Sequence, residues 1–286
     1  MRHITCPLCD SAGSLPVLGL RDRLLGLEGQ FTMVRCADCG LHYLNPQPQG
    51  AEIARYYPED YDPFVTLHPD ELPLLQGLSV RYGLHKRCRA VTRHKRGGRL
   101  LEIGCANGLF LDAMRRRDGW HVQGVEVSEP AVRYAREQLG LELFHGTLED
   151  AAFPDRFFDA VVMWDVLEHV QQPRETLAEI HRVLKPDGLL VLRLPLLDSW
   201  DRKLFGSYWV GWDPPRHLTL FSRRTLGQML ALTGFRIQRM ACIAGGYTTF
   251  ALSLRFWARD HLSAPAQTRL RRFLEALPVR LVAAAY

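Results

Sequence analysis

Four cysteines in two pairs, Cys6-Pro7-Leu8-Cys9 and Cys36-Ala37-Asp38-Cys39, are spaced for chemistry. Two residues between the thiols let both sulfurs of a pair face one ion, and two such pairs supply the four thiolates of a tetrahedral Zn²⁺ site. Gly40 permits the turn after the second pair, and a β-prone piece, Gln30 to Arg35, leads into it. Metal binding supplies folding free energy that so short a segment could not obtain from apolar burial alone. His42 reads as a surface histidine, because four thiolates already complete the shell. The remaining cysteines, Cys88, Cys105 and Cys242, are scattered.

A second group lies further along. The apolar run from Leu100 ends in Gly104-Cys105-Ala106-Asn107-Gly108, and a helical pattern begins straight after it. Glycine at both ends of such a loop allows close approach of a ligand to the backbone. Glu126 closes the next apolar run, where a carboxylate can accept hydrogen bonds from both ribose hydroxyls of an adenosine. His145-Gly146-Thr147-Leu148-Glu149-Asp150 follows the third run and is placed to border an adenine. A dinucleotide site would carry GxGxxG with its pyrophosphate on the helix start, and here the third glycine is absent. The pattern leans toward a ligand without phosphate.

The elements that must position these residues alternate. Strands are expected over Arg99–Ile103, His121–Glu126, Glu142–Phe144, Asp159–Trp164 and Leu189–Leu194, with helices over Leu109–Arg117, Ser128–Leu139 and Pro173–Leu184. Short apolar strands separated by amphipathic helices give βαβ units and a doubly wound, mainly parallel sheet. Its ligand belongs outside the carboxyl ends of the strands, at the switch in strand order. Lys185-Pro186-Asp187-Gly188 is a turn before the fifth strand; Ser222 caps a helix to about Leu232, and a last strand runs from Phe235 to Met240. A helix from about Pro73 to Arg96 precedes the first strand, and helical sequence follows Tyr247. Tyr56 to Phe64, rich in tyrosine and proline, is either a wall over the pocket or a linker. The expected organisation is residues 1–49 as a zinc ribbon, 50–97 as linker and helical cap, 98–245 as the main α/β domain, and 246–286 as a helical extension.

Composition sets the class. With 286 residues, 47% hydrophobic and 23% charged, the chain is an ordinary globular protein. The start has no apolar leader and no run is long enough to cross a bilayer, so a cytoplasmic location is the expectation. The net charge of +5 is uneven: eight Lys or Arg and no acid lie between Arg81 and Arg99, and Arg269-Leu270-Arg271-Arg272 forms another cluster. Such runs are solvated helix faces, or they meet an anionic partner such as a phosphorylated carrier or a membrane surface. Nucleic acid is disfavoured, since no aromatics interleave the basic runs.

Taken together, Leu101 to Gly108, Val125-Glu126-Val127-Ser128, Gly146 to Glu149, Phe158 to Val162, Trp164-Asp165-Val166-Leu167-Glu168-His169-Val170 and Leu184 to Gly188 resemble the ordered motifs of class I S-adenosylmethionine-dependent methyltransferases. The likeness covers roughly Arg99 to Met240. Trp209 to Leu218, the Tyr-Pro-rich piece and the ribbon in front resemble a bacterial subgroup associated with sugar, polysaccharide or secondary-metabolite pathways. The resemblance implies a seven-stranded Rossmann-like fold with S-adenosylmethionine as cofactor. It sets Glu102, Gly104, Cys105, Ala106 and Gly108 at the methionine end, Glu126 at the ribose, Thr147, Leu148 and Glu149 at the adenine, and Asp165 and Val166 beside the sulfonium and its amino-acid tail, with Val127 also among the cofactor-binding residues. The family loop has glycine where Ala106 stands; a methyl group fits there if φ is negative.

Methyl transfer to a hydroxyl needs in-line alignment and removal of a proton. His169 and His217 are the two base candidates, and His217 is favoured because its segment follows the fifth strand and should reach over the acceptor. Arg216 would pair an anionic substrate group or an acid of the protein. Trp209 and Trp212 would stack on an acceptor or fill the core. The acceptor atom is expected to be a hydroxyl oxygen, with carbon or nitrogen as the alternatives, on a small or carrier-bound molecule such as a sugar or secondary metabolite. The competing readings are an NAD-dependent enzyme on a related sheet and a non-catalytic partner-binding protein with a degenerate domain.

Overall fold

The computed structural model describes residues 1–58, 68–241 and 246–276. Cys242, Glu59 to Phe64 and the tail beyond residue 276 lie outside the described residues. The strands are β1 (Ser14–Leu20), β2 (Phe31–Cys36), β3 (His42–Leu44), β4 (Gly98–Ile103), β5 (Trp120–Glu126), β6 (Leu143–His145), β7 (Phe158–Trp164), β8 (Leu184–Arg193) and β9 (Thr219–Leu220). They form two sheets in two compact units: residues 1–56, 195–231 and 236–286 make the first, and residues 57–194 with 232–235 make the second.

The second unit is the α/β half. Its five strands are all parallel, in the order β6-β5-β4-β7-β8, so the strand order reverses beside β4. Such strands are buried on both faces, which is why Leu100-Leu101 and Ala160-Val161-Val162-Met163 read as unbroken apolar runs and are almost wholly buried. Helices Leu109–Arg115, Glu129–Leu139 and Pro173–Val183 join successive strands, and helix Leu74–Thr92 precedes β4. Local signals place their ends: the Ser128 side chain accepts from the Ala131 N–H, and Gly140 stops that helix in the left-handed region at φ 60°. In helix Pro173–Val183 the buried positions Thr176, Leu177, Ile180 and Val183 follow the helical period.

Two details depart from expectation. The four residues Lys185 to Gly188 are not a free turn but a bulge inside β8, where the register jumps from Phe158↔Leu184 to Ala160↔Leu189. Among the described residues the sheet has five strands rather than seven, and Phe235 to Met240 forms no strand. The alternation of that segment gave it the two faces of a strand but no edge to pair with. Instead Phe235 sets its ring edge-on against His181, 5.3 Å between centroids.

The first unit is built around an antiparallel sheet, β1-β2-β3-β9. β9 joins it through His42↔Leu220 and Tyr43↔Thr219, and the Leu44 N–H donates to the Leu218 carbonyl. The ribbon expected to close within residues 1–49 is thus completed by residues from beyond position 195. Phe31, Met33, Leu44, Tyr56, Trp209, Trp212, Leu218 and Leu220 form one core beneath the sheet. Helices Gly246–His261 and Ala264–Ala276 supply the helical extension. No helix among the described residues is long and apolar enough to cross a membrane.

Candidate functional site

At the carboxyl end of β4 the chain turns through three left-handed residues, Gly104 (φ 66°), Ala106 (φ 46°) and Gly108 (φ 80°), before helix Leu109–Arg115. Gly104 is required by contact: a Cβ there would lie 2.6 Å from Cγ2 of Val166, the residue after β7 and Asp165. Gly108 is required likewise, 2.6 Å from Leu141 Cδ1. Ala106 corrects an expectation, because its φ is positive. An L-residue held there carries strain of about 1–2 kcal/mol that glycine would avoid. Cys105 is a packing residue: its Sγ occupies the space that a Cβ on Gly124 would need, and burial pushes its thiol far up.

Glu126, at the end of β5, is 4% exposed. One carboxylate oxygen accepts from the Ala106 N–H at 2.8 Å and the other from the Ser128 N–H at 2.9 Å. Burial raises its pKa, and the backbone N–H groups of Ser128, Ala106 and Val127 pull back toward the charged form. The carboxylate is therefore fixed in orientation by the glycine loop on one side and its own strand end on the other. Val127 is largely exposed beside it.

After β6, Leu148 is buried while Thr147 and Glu149 are exposed and engaged locally. Thr147 Oγ1 donates to Asp150 Oδ2 at 2.7 Å, and Glu149 Oε1 accepts from Thr176 Oγ1 at 2.8 Å. The three residues assigned to an adenine thus divide into one apolar wall and two loop anchors. Asp159, at the start of β7, holds the Arg99 N–H (2.8 Å) and Lys185 Nζ (2.7 Å), a role within the sheet.

Between the ends of β4, β7 and β8 lies a group of charges that the sequence reading saw only in part. Glu102 is buried, its Oε2 has no hydrogen-bond partner, and its pKa is pushed well above the usual carboxylate range by burial, with Arg87 opposing the shift. The Arg193 guanidinium pairs with Asp165, whose own N–H donates to the Arg193 carbonyl at 2.7 Å. Arg193 Nε and Trp164 Nε1 are buried without partners. Both guanidiniums face the Trp164 ring, Arg87 at 5.7 Å and Arg193 at 5.9 Å. Burial and the neighbouring Arg193 bring the Arg87 pKa down to about 10. In the sequence Arg87 belongs to the basic run from Arg81 to Arg99, a solvated helix face or a surface for an anionic partner. Its neighbours Cys88 and Val91 are fully buried, so the inward face of helix Leu74–Thr92 was marked by them. Arg193 was marked too, as the one charge in the apolar run Leu189–Leu194.

The two histidines lie in different units. His169 sits in the turn after β7 with Nδ1 2.8 Å from the Tyr57 hydroxyl. His217 belongs to the first unit, where its Nδ1 donates to the Gly211 carbonyl at 2.8 Å. Arg216 is fully buried and forks onto Asp22 (2.8 and 3.0 Å) and Asp213 (2.6 and 2.9 Å), so its partners are acids of the protein. Trp209 and Trp212 are core residues, 2% and 3% exposed.

In the ribbon, Cys6 and Cys39 bring their sulfurs to 3.4 Å and Cys9 and Cys36 to 3.6 Å, and all four lie within 4.8 Å of one another. Sulfurs about 2.3 Å from a tetrahedral zinc stand about 3.8 Å apart, so the set is compact enough for one ion. The Cys36 thiol is lowered to about 6: burial opposes ionisation, but the Cys39 and Asp38 N–H groups and the neighbouring thiols favour it. Gly40 (φ 76°) makes the turn beneath the Arg224 guanidinium, which donates to the Cys39 carbonyl at 2.6 Å.

A parallel sheet that reverses beside its first strand, with a glycine loop there and an acid closing the second strand, defines a nucleotide-type α/β protein of the Rossmann-like class. A family described as "Methyltransferase domain" matches residues 81–239, more than half of the chain, and the chain belongs to that family, whose cofactor is S-adenosylmethionine. The mitochondrial ubiquinone biosynthesis O-methyltransferase of Schizosaccharomyces pombe is 36% identical over 104 residues, 34% of this chain and 37% of that protein. The demethylmenaquinone methyltransferase of Symbiobacterium thermophilum is 32% identical over 179 residues, 59% of this chain and 70% of that protein. The chain spans half or less of the length of the first ubiquinone relatives it matches. A solved S-adenosylmethionine-dependent methyltransferase from Thermotoga maritima is 25% identical with a TM-score of 0.45, covering 54% of this chain and 72% of that one.

Proposed function

We propose that this protein transfers a methyl group from S-adenosylmethionine to a hydroxyl of a small molecule. The observation that carries the reading is the open set of buried polar groups at the ends of β4, β7 and β8, next to a Glu126 carboxylate already oriented by two backbone N–H groups. Unpartnered buried groups are expensive, so they persist where a ligand completes them. The donor set fits the cofactor. Arg87 and Arg193 suit the carboxylate of an amino-acid tail, Glu102 and Asp165 suit its ammonium, and Glu126 suits two ribose hydroxyls. Gly104, Ala106 and Gly108 let the backbone approach, with Cys105 and Val166 as apolar packing and Val127, Thr147, Leu148 and Glu149 along the nucleoside. Bound there, the cofactor supplies a methyl group on a positively charged sulfur, an electrophile that needs little further activation.

The chain's own task is to hold the acceptor in line and to take its proton. His169 stands in the same unit as the glycine loop, and its ring is oriented by the 2.8 Å contact between Nδ1 and the Tyr57 hydroxyl. His217 is the second base candidate, since its bond to the Gly211 carbonyl leaves Nε2 basic. The relatives named for ubiquinone and demethylmenaquinone support a small-molecule acceptor. We assign the four cysteines to a structural Zn²⁺.

The test begins with binding. Glu126→Ala should weaken S-adenosylmethionine about 10- to 100-fold by calorimetry, the worth of one or two hydrogen bonds to a charged group; unchanged affinity would sink the site assignment. Labelled cofactor incubated with candidate acceptors then reports transfer, and His169→Gln and His217→Gln identify the base as the one variant that loses turnover while keeping cofactor affinity. Elemental analysis should find one zinc per chain, and Cys36→Ser should lose it together with several degrees of melting temperature.

A further inference from the structure

The first unit contains a hollow lined by none of the residues assigned above to methyl transfer. A cavity of about 330 Å³ adjoins the β1–β2 ladder, with Leu20 and Phe31 as its apolar wall and Arg21, Arg23, Gln30, Thr32 and Ser207 as its polar one. That volume falls in the range of small-molecule sites, about 300–1,000 Å³. The charges around it do not cancel. Arg21 and Arg23 share a single carboxylate, Asp260, at 3.1 and 3.0 Å, and Arg259 joins them by donating to the Arg23 carbonyl at 2.9 Å. Two guanidiniums therefore share one acid, so one positive charge is left over. Arg23 is held in place, lying 4.5 Å over the Tyr208 ring with its side chain only 21% exposed. Arg21 is 63% exposed and keeps room to turn its fork inward.

The chemistry of the lining selects a ligand class. A carboxylate satisfies one guanidinium fork and Asp260 already provides that; the surplus charge on two adjacent forks matches a dianion with three oxygens. Gln30, Thr32 and Ser207 carry both donors and acceptors, which is what hydroxyl groups require. We propose that this cavity binds a small hydroxyl-bearing phosphate ester, with its phosphate on Arg21 and Arg23 and its hydroxyls on Gln30, Thr32 and Ser207. Gly19, also on the lining, has nothing within 4 Å of where a Cβ would stand. The binding stands independently of the S-adenosylmethionine site.

The experiment is calorimetry on the full chain at low salt with three probes: glucose 6-phosphate, inorganic phosphate and glucose. Glucose 6-phosphate should bind at least about tenfold tighter than phosphate, and glucose not at all, because both the charged and the hydroxyl contacts contribute. Gly19→Phe sets a ring on the cavity lining and Arg21→Gln removes the surplus charge; each should weaken glucose 6-phosphate about tenfold or more without a change in S-adenosylmethionine affinity. If glucose 6-phosphate fails to bind, or binds no better than phosphate, the proposal is overturned. Binding that survives Gly19→Phe in a folded protein places the ligand elsewhere and overturns it too. Should Gly19→Phe not fold, Arg21→Gln decides by the same criterion.

Discussion

The two units each bury a cluster of charges, and the clusters are finished differently. In the first unit the Arg216 guanidinium, which carries five N–H donors, makes two contacts to Asp22, two to Asp213 and one to the Tyr56 carbonyl at 3.4 Å among the described residues. Asp22 in turn accepts from the Leu24 and Leu25 N–H groups, both at 3.0 Å. In the second unit Glu102 Oε2, Arg193 Nε and Trp164 Nε1 are buried with no partner at all. A closed cluster spends its polarity on architecture, tying residues 22 and 216 into one core. An open one keeps polar atoms desolvated and aimed, at a cost in stability that a bound ligand can offset.

The comparison breaks most visibly at Arg216. Arg216→Met should destabilise the protein by about 3–5 kcal/mol, because it leaves two buried acids without their cation; denaturant unfolding at neutral pH measures it, and a loss below about 1 kcal/mol would mean the cluster is not structural. Acid adds a sign. Burial works against ionisation of Asp22, yet Arg216 and the loop N–H groups hold its carboxyl below the usual value. Its contribution is therefore complete above the unfolded carboxylate pKa and is lost as the pH falls through the lower folded one. That part of the acid limb should be missing in Arg216→Met.

Glu102→Gln should act in the opposite direction on stability. The folded pKa of Glu102 is raised, so its contribution is complete below the unfolded value and is lost as the pH rises through the folded one. The variant should match the wild type near pH 4 and exceed it by about 1–2 kcal/mol at pH 8 in the absence of cofactor, while its affinity for S-adenosylmethionine falls. Equal stability at pH 8 would show that the open cluster carries no strain. The smallest effect belongs to the loop: Ala106→Gly should raise the unfolding free energy by about 0.5–1 kcal/mol, relief of the left-handed alanine less the entropy that glycine loses. A loss instead would show that the methyl group packs usefully there.

The same contrast explains what could be read from the sequence. The sequence sets Gly104, Glu126 and Asp165 straight after or at the end of apolar strands and Gly108 at the start of the following helix, and a parallel sheet gathers strand ends. The cysteine pairs were legible from spacing alone. Arg87 was hidden within a basic run, since which face of a helix turns inward depends on what covers it. The pairing of Arg216 with Asp22 spans 194 positions and no local pattern encodes it. Phe235 to Met240 erred the other way, having a strand's alternation without a partner edge. Ala106 was identified as the departure in the loop, but the sign of its φ depends on the Glu126 carboxylate that holds its N–H.

The fourth strand of the ribbon sheet has a consequence for synthesis. β1, β2 and β3 leave the ribosome early, and the outer edge of β3 stays unpaired until Thr219 and Leu220 emerge. Through that interval the nascent chain presents bare N–H and C=O groups that any extended segment could occupy. A fragment ending near residue 49 would keep that edge for good, so it should stick to itself whether or not zinc is added.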